Sequence, residues 1–514
     1  MTAPGQAEDI LSGSPRTNRM RVRRLGLDTL HESVVFMHRD CQVCRSEGFN
    51  AHARVLLSNG KRSVIATLFH ATGDLIAHDE AALSEAAWTR LGLNDGDTIA
   101  VKHPPTVESL SHLRGRIYGS ELAEPSFHAI IKDIVAGNYS DIHISSFVTA
   151  CSARPLAHRE ILALTQAMVD VGDRMTWPAG IVVDKHSIGG LPGNRTTPIV
   201  VSIVAALGLK MPKTSSRAIT SPAGTADTME TMAPVDLDTT AIRRVVERED
   251  GCIVWGGSVR LSPADDILIR VERVLDLDAE GQMIASVLSK KIAAGSTHLV
   301  LDLPLGPTAK VRTPEAAERL SRALSSVADH FGLKTTCIVS DGTQPVGRGI
   351  GPALEAHDVL AVLQNAPQAP LDLRERAISL AGALLELAGL ASGGNGAGQA
   401  ASTLDDGRAW AKFQRICEAQ GGMRSPPVAR HRRPLMSSQD GKLQSIDNRK
   451  IAKLAKLAGA PDDKAAGVEL HTRAGALVQV GEPLCTLHAE ATGELAYAFD
   501  YARSNDDIFR IVES

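Results

Sequence analysis

The chain has 514 residues, 43% hydrophobic and 22% charged, with a net charge of −4; it is long enough for three or four cores and has no basic excess with which to hold a polyanion. Aromatics are 3%, too few for stacking platforms under nucleic acid or for a membrane belt, and no apolar run approaches the ~18 residues of a membrane span. Composition therefore predicts a cytoplasmic protein with no nucleic-acid and no membrane partner, its seven spread cysteines held as reduced thiols.

Residues 1–18 read as a polar tail with no secretory core. Alternation over 19–24 and the runs 33–37 and 53–57 predict strands, and Asn59-Gly60 predicts a two-residue hairpin turn into a strand over 63–68. Arg21, Arg23 and Arg24 fit a solvated strand face. His38, Cys41, Cys44 and His52 are zinc-ligand types, but their spacing matches no common finger, so a structural role is expected. His103-Pro104-Pro105 is a linker. From 109 to 174 apolar residues recur at helical spacing, with Leu113, Ile117, Ile130, Ile131, Ile134, Phe147 and Val148 among the expected core.

The apolar run 179–183 predicts a buried strand and 199–209 a helix, with Asp184-Lys185-His186-Ser187-Ile188-Gly189-Gly190 and Pro192-Gly193-Asn194-Arg195-Thr196-Thr197 between them. Glycines there let backbone N–H groups approach an anion near a helix N-terminus; Lys185 adds charge, and Ser187, Thr196 and Thr197 add hydroxyls. A second hydroxyl-rich loop, Lys213 to Glu230, precedes a short helix with acids in its first turn. Two such loops at the ends of neighbouring strands of one open sheet would face a common crevice. Neither is a Walker loop nor a dinucleotide fingerprint, which argues against an ATPase or a dehydrogenase.

Helical character returns over 262–294 around a short 270–278 segment. Then 298–303 and 337–340 read as strands, Thr313-Pro314 starts a helix to about His330, and Gly393 to Gly398 reads as a flexible connector. Short strands around 435, 442–446, 468–471 and 483–488, with a helix over 449–457, predict a small α+β terminal domain. The expected architecture is α/β multidomain: a β-rich domain at 1–102, a helical domain at 103–175 and 262–294, an α/β phosphate-binding domain at 176–261 and 295–424, and the α+β domain at 425–514.

The strings DKHSIGG, PGNRTT and KTSSRAITSPAGTADTME, with ASVLSKK at 285–291, GPTAK at 306–310 and QPVGR at 344–348, resemble the thymidine/pyrimidine-nucleoside phosphorylase family, most of all its long branch that includes AMP phosphorylase. The resemblance runs from about residue 100 to the C-terminus. It implies a phosphorolytic pentosyltransferase that turns a nucleoside, or a nucleoside 5′-monophosphate, and phosphate into free base and pentose 1-phosphate or 1,5-bisphosphate. No cofactor and no metal are implied, inorganic phosphate being a co-substrate. A hinged cleft and a homodimer or larger assembly closing through 109–174 are implied as well.

By the same resemblance Lys185, Ser187, Gly189, Gly190 and Thr225 bind phosphate. Ser216, Arg217, Ala218, Ile219, Thr220, Ser221 and Thr225 hold the substrate with Gly190, and Arg217 is a cation suited to a 5′-phosphate. Arg270, Ser286 and Lys290 match base-contacting positions, and Lys310 a substrate-contacting lysine. Asp278 matches the proton donor of the AMP branch, although it also fits an N-cap of the helix that follows. His186 is open between bonding the base, donating a proton and a backbone-bonded loop histidine. Nucleoside-specific members read Ser-Thr-Gly-Gly and Gly-His-Thr-Gly-Gly-Thr where this chain has 187–190 and 220–225, which leaves the substrate open. The rival readings are a magnesium-dependent phosphoribosyltransferase and a non-enzymatic assembly protein.

Overall fold

The structure is a computed structural model and describes residues 18–178, 180–218, 221–277 and 279–513. The chain divides into two compact units, Met1–Arg154 and Pro155–Ser514.

In the first unit β1 (Arg19–Leu27), β2 (Val34–His38), β3 (Arg54–Ser58), β4 (Ser63–Ala71), β5 (Glu80–Ser84) and β6 (Thr98–Lys102) close into a barrel of order β1-β5-β2-β4-β3-β6. Closure leaves no strand edge unpaired. Met20 and Val22 point into the barrel, while Arg21 and Arg24 stay outside and pair with Glu80 and Glu85 at 2.7 and 2.6 Å. The expected two-residue turn is a four-residue loop: Ser58 pairs with Ser63, and the Asn59 side chain accepts from the N–H groups of Lys61 and Arg62 at 3.0 and 2.8 Å. That Asx bonding holds the longer loop. Cys41 caps α1 (Gln42–Glu47), its sulfur accepting from the Cys44 N–H at 3.2 Å. His38 stacks on His78 and His52 packs its edge on Phe69. Among the described residues no group of three His, Cys, Asp or Glu could hold a metal ion, and Cys41 and Cys44 are buried in the barrel core.

Helix α2 (Glu85–Leu91) covers the barrel, and α3 (Ser109–Ile117), α4 (Glu124–Ala136) and α5 (Asp141–Ala153) pack together around Leu113, Phe127, Ile130, Ile131 and Phe147. Ile117, expected in this core, is exposed at the last position of its helix. α3–α5 fall in the first unit and α6 (His158–Asp170) in the second.

The second unit carries the α/β layer. β7 (Val183–Ser187) is followed by α7 (Thr197–Ala206), β8 (Met211–Ser215), α8 (Thr225–Glu230), α9 (Thr239–Glu249), β9 (Gly251–Trp255), α10 (Pro263–Leu275), α11 (Glu280–Ala293), β10 (His298–Leu305), α12 (Pro314–His330) and β11 (Lys334–Asp341). α6 lies against α11 and α12. As expected, Thr313 caps α12, accepting from the Ala316 N–H. α7 is apolar all round, with Ile199, Val200, Val201, Ile203 and Val204 fully buried, each worth about 1.5–3 kcal/mol.

The expected single sheet is two ladders, parallel β11-β10-β7 and parallel β8-β9, with one bridge between Val182 and Lys210. Proline explains the break. The Lys210 carbonyl faces β7, accepting from the Val183 N–H at 2.8 Å, and the Met211 N–H faces β9. Pro212 is therefore the next residue on the β7 side and has no N–H to offer. The bond lost is the one residue 212 would have donated to the Val183 carbonyl, and the next donor on that side of β7, the Lys185 N–H, bonds the Asp184 carboxylate at 2.6 Å.

After β12 (Gly349–Ile350) come α13 (Pro352–Leu363), α14 (Leu371–Leu387), α15 (Gly396–Asp405) and α16 (Arg408–Gln420). The expected flexible connector is the start of α15: Gly396 is buried, and a Cβ there would meet the Gly382 carbonyl oxygen at 2.2 Å. Those glycines let α14 and α15 pack closely. The chain ends in β13 (His431–Met436), β14 (Gly441–Ile446), α17 (Asn448–Leu457), β15 (Gly467–Leu470), β16 (Leu477–Val478), β17 (Pro483–Ala489), α18 (Thr492–Arg503) and β18 (Phe509–Val512), in sheets β12-β15-β17-β13 and β16-β14-β18. Among the described residues no helix is long and apolar enough to cross a membrane, and all seven cysteines are free thiols.

Candidate functional site

Asp184, Lys185, His186 and Ser187 lie on β7 itself, not in the loop after it. Strand alternation therefore sorts them onto two faces. Lys185 and Ser187 share one. The Lys185 ammonium, 2% exposed, donates to Thr196 Oγ1 at 2.6 Å. Burial, then Arg195, Arg376 and Lys291, pull its pKa down to about 8 against the opposing pull of Asp302. Ser187 donates its hydroxyl to Asp302 Oδ2 at 2.8 Å. Just beyond the strand Gly189 and Gly190 adopt φ of 37° and 83° and are exposed. Lys310 crosses this turn: a Cβ on Gly190 would stand 3.0 Å from its Cγ and 3.1 Å from its N. The structure thus brings Lys185, Ser187, Gly189, Gly190 and Lys310 together, with exposed backbone at the end of a parallel strand where anions and ligands are received.

Asp184 and His186 share the other face. Asp184, buried, pairs with Lys213 at 3.3 Å and Lys291 at 2.9 Å. Burial alone would raise its pKa, but these two lysines hold it below the usual carboxylate range. His186 lies well below its ordinary pKa, first through burial and then through Lys291, Lys213, Lys290 and Lys185. Its imidazole is neutral at pH 7, a state that can bond a base but holds no spare proton for it. Lys290 is itself paired, to Asp265, a carboxylate that keeps its pKa high against burial.

The loop between β8 and α8 is folded onto acids. Asp227 Oδ2 accepts from the N–H groups of Ala218 and Gly224 at 2.6 and 2.9 Å. Arg217 grips Glu230 through two bonds of 2.7 and 2.8 Å, reaches Asp227 at 3.4 Å and lies over the Trp255 ring. Lys464 closes the group, 3.3 Å from both Asp227 and Glu230. Two cations meet two carboxylates, so the charge of Arg217, the cation expected to suit a 5′-phosphate, is already matched. Ser221 bonds the Ala223 carbonyl at 2.9 Å, and the Ser216 carbonyl accepts from the Ala226 N–H at 3.3 Å. Ile219 and Thr220 lie outside the described residues.

Arg195 joins the two loops. Its guanidinium donates to Glu355 Oε2 at 2.7 Å, Thr225 Oγ1 at 2.7 Å and the Ala223 carbonyl at 2.9 Å. Thr225 is thereby fixed beside the first loop, with its own hydroxyl hydrogen not used by Arg195. Arg270 lies on α10 and Ser286 one turn before Lys290 on α11, both partly covered. Asp278 lies outside the described residues. The N-cap position of α11 is Ala279, so the cap expected at 278 falls one residue later.

Asp184, Asp302, Arg195, Lys291 and Lys464 are absent from the sequence-derived site. Two of them carry a signal. Asp302 is a lone acid inside the apolar run 299–305, and Lys291 continues the buried stripe of Ile284, Val287 and Leu288.

A family model described as "Glycosyl transferase family, a/b domain" matches residues 179–410, its "helical bundle domain" companion matches 110–172, and "Pyrimidine nucleoside phosphorylase C-terminal domain" matches 442–508. A protein of Chelativorans sp. (strain BNC1) named "Putative thymidine phosphorylase" is 61% identical, over 98% of this chain and 99% of its own. One of the same name from Sphingopyxis alaskensis is 59% identical, over 99% of both chains. Among solved structures, anthranilate phosphoribosyltransferase from Thermus thermophilus superposes with a TM-score of 0.51 at 19% identity, over 60% of this chain and 98% of that one. The Saccharomyces cerevisiae enzyme of that name gives 0.50 at 15% identity, over 61% and 98%. These two show a shared fold.

Proposed function

The chain belongs to the thymidine/pyrimidine-nucleoside phosphorylase family, pentosyltransferases that break a nucleoside N-glycosidic bond with phosphate, and from this we propose that its substrate is a free nucleoside, thymidine foremost, and not a nucleoside 5′-monophosphate. The observation that carries the choice is Arg217. Its charge is already matched by Glu230 and Asp227, and a 5′-phosphate would have to compete with two carboxylates for it.

In this reading phosphate sits over Lys185, Ser187, the Gly189 and Gly190 amides and Thr225. Fixed positive charge there orients the nucleophile and offsets its repulsion, so the reaction is proposed to need no metal and no cofactor. Arg270, Ser286, Lys290 and Lys310 with the 216–221 loop hold sugar and base, and His186 bonds the base as a neutral imidazole. Asp278 is proposed as the proton donor to the departing base, a role that needs a raised carboxyl pKa. Closure of the helical part over the strand ends is part of the same proposal, because an oxocarbenium-like sugar must be shielded from water. A cytoplasmic location and a homodimer or larger assembly complete it; the free thiols support a reducing compartment.

The test is released base, followed by chromatography, from thymidine, deoxyuridine, uridine, thymidine 5′-monophosphate and AMP, each with phosphate. Thymidine is expected to lead. AMP turned over tenfold faster than any free nucleoside would replace this reading with an AMP phosphorylase.

A further inference from the structure

Behind Ser187 stands a fully buried carboxylate. Asp302, on β10, accepts the Ser187 hydroxyl hydrogen at Oδ2 (2.8 Å) and that of Ser340 at Oδ1, while Arg376 donates to Ser340 Oγ at 2.8 Å and lies 3.8 Å from Asp302 Oδ2. A hydroxyl has one hydrogen and two lone pairs. The hydrogen of Ser187 is committed to Asp302, and one lone pair takes the Asn194 side-chain N–H at 3.3 Å. What Ser187 has left to offer a ligand is a lone pair.

Resting on the reading that phosphate binds at Ser187, we infer that Asp302 is a positioning residue that turns Ser187 into an acceptor, so that the site selects an anion carrying an O–H. Hydrogen phosphate carries one at neutral pH, and sulfate carries none. The same bond separates substrate from product. In phosphorolysis a phosphate oxygen forms the C1′–O bond as the C1′–N bond breaks and its electron pair leaves with the base. The base gains one proton and the phosphate loses one, so the pentose 1-phosphate dianion has no P–OH left to give Ser187. Ser187 therefore favours the incoming nucleophile over the outgoing ester.

The test measures dissociation constants for phosphate and sulfate by titration calorimetry on the full chain, with phosphate-dependent base release assayed in parallel. Ser187→Ala should weaken phosphate about tenfold and leave sulfate within twofold, because sulfate never used the contact. Asp302→Ala frees the Ser187 hydrogen, so sulfate should tighten several-fold, and the gain should vanish in the Asp302→Ala/Ser187→Ala double variant. Phosphate and sulfate weakening in parallel in Ser187→Ala would show a donating serine and overturn the inference, whether or not the Asp302 variant folds. Failure of the wild type to release base while it retains the anion selectivity would count against the phosphorolysis reading alone.

Discussion

Replacing Arg195 by methionine separates the two loops of the site, and its cost should depend on pH in a calculable way. The guanidinium makes three bonds, to Thr225, the Ala223 carbonyl and the buried Glu355. Losing the first two removes about 1 kcal/mol each, or roughly 2 kcal/mol at any pH. The third carries the pH term. Burial lifts the Glu355 pKa from 4.5 to about 7 although Arg195 and Thr228 hold it down. A raised carboxyl keeps its proton in the folded chain after the unfolded chain has lost it, so stability falls as pH rises from about 4.5 to 7 in the wild type, by roughly 3 kcal/mol in all. Above 7 the wild type ionises Glu355 against Arg195 and the fall stops. In Arg195→Met no cation faces Glu355, its pKa lies higher still, and the fall continues at about 1.4 kcal/mol per pH unit. The deficit should therefore be near 2 kcal/mol at pH 6 and approach 4–5 kcal/mol by pH 9, in line with the cost of stranding one partner of a buried pair. Urea unfolding monitored between pH 6 and 9 reads it directly. A deficit that stays flat across that range would refute the assignment of Glu355 as the partner Arg195 neutralises.

Three further outcomes follow from the proposed chemistry. Activity should require inorganic phosphate and survive EDTA, because lysine and backbone amides supply the charge; complete loss restored by magnesium would favour a phosphoribosyltransferase. Asp278→Asn should lower turnover by about 10²–10⁴ with little change in melting temperature, and be partly rescued by a nucleoside whose base is a better leaving group; near-normal turnover on the natural substrate would end the donor assignment. Light scattering at micromolar protein should give a dimeric or larger mass, and a monomeric mass would contradict assembly through residues 109–174.

The two loops are legible in the sequence because glycine, hydroxyl and lysine residues in dense strings have few other uses, and Thr313-Pro314 is legible as a helix start because cap and N1 position act locally. The strand at 183–187 is displaced by four residues from the expected one because Asp-Lys-His-Ser is a poor strand sequence in isolation. It is tolerable only with Lys213 and Lys291 on one face and Thr196 on the other, partners 11 to 107 residues away. The pairing of Arg217 is hidden for the same reason: the string shows Arg217, Asp227 and Glu230 in line, and only the fold brings the two carboxylates onto the guanidinium, with Lys464 as a second cation. The break between β7 and β8 is readable in principle, since Pro212 removes a donor, but only once the facing of Lys210 is known.

Alternation along β7 also bears on which group can protonate the base. Lys185 and Ser187 face Thr196 and Asp302, whereas Asp184 and His186 face Lys213 and Lys291. Burial first, and then the surrounding lysines, keep the His186 imidazole neutral, because desolvation and each positive neighbour penalise imidazolium. Lys290 cannot give up its proton readily either, since Asp265 holds it. On that face His186 is neutral and Lys290 is held by Asp265, whereas burial lowers Lys291 to about 7 against the pull of Asp184, so Lys291 is a cation there that can release a proton near pH 7. The proposed donor Asp278 is drawn from the family resemblance, and His186 is proposed to hold the base in place while the bond to C1′ breaks.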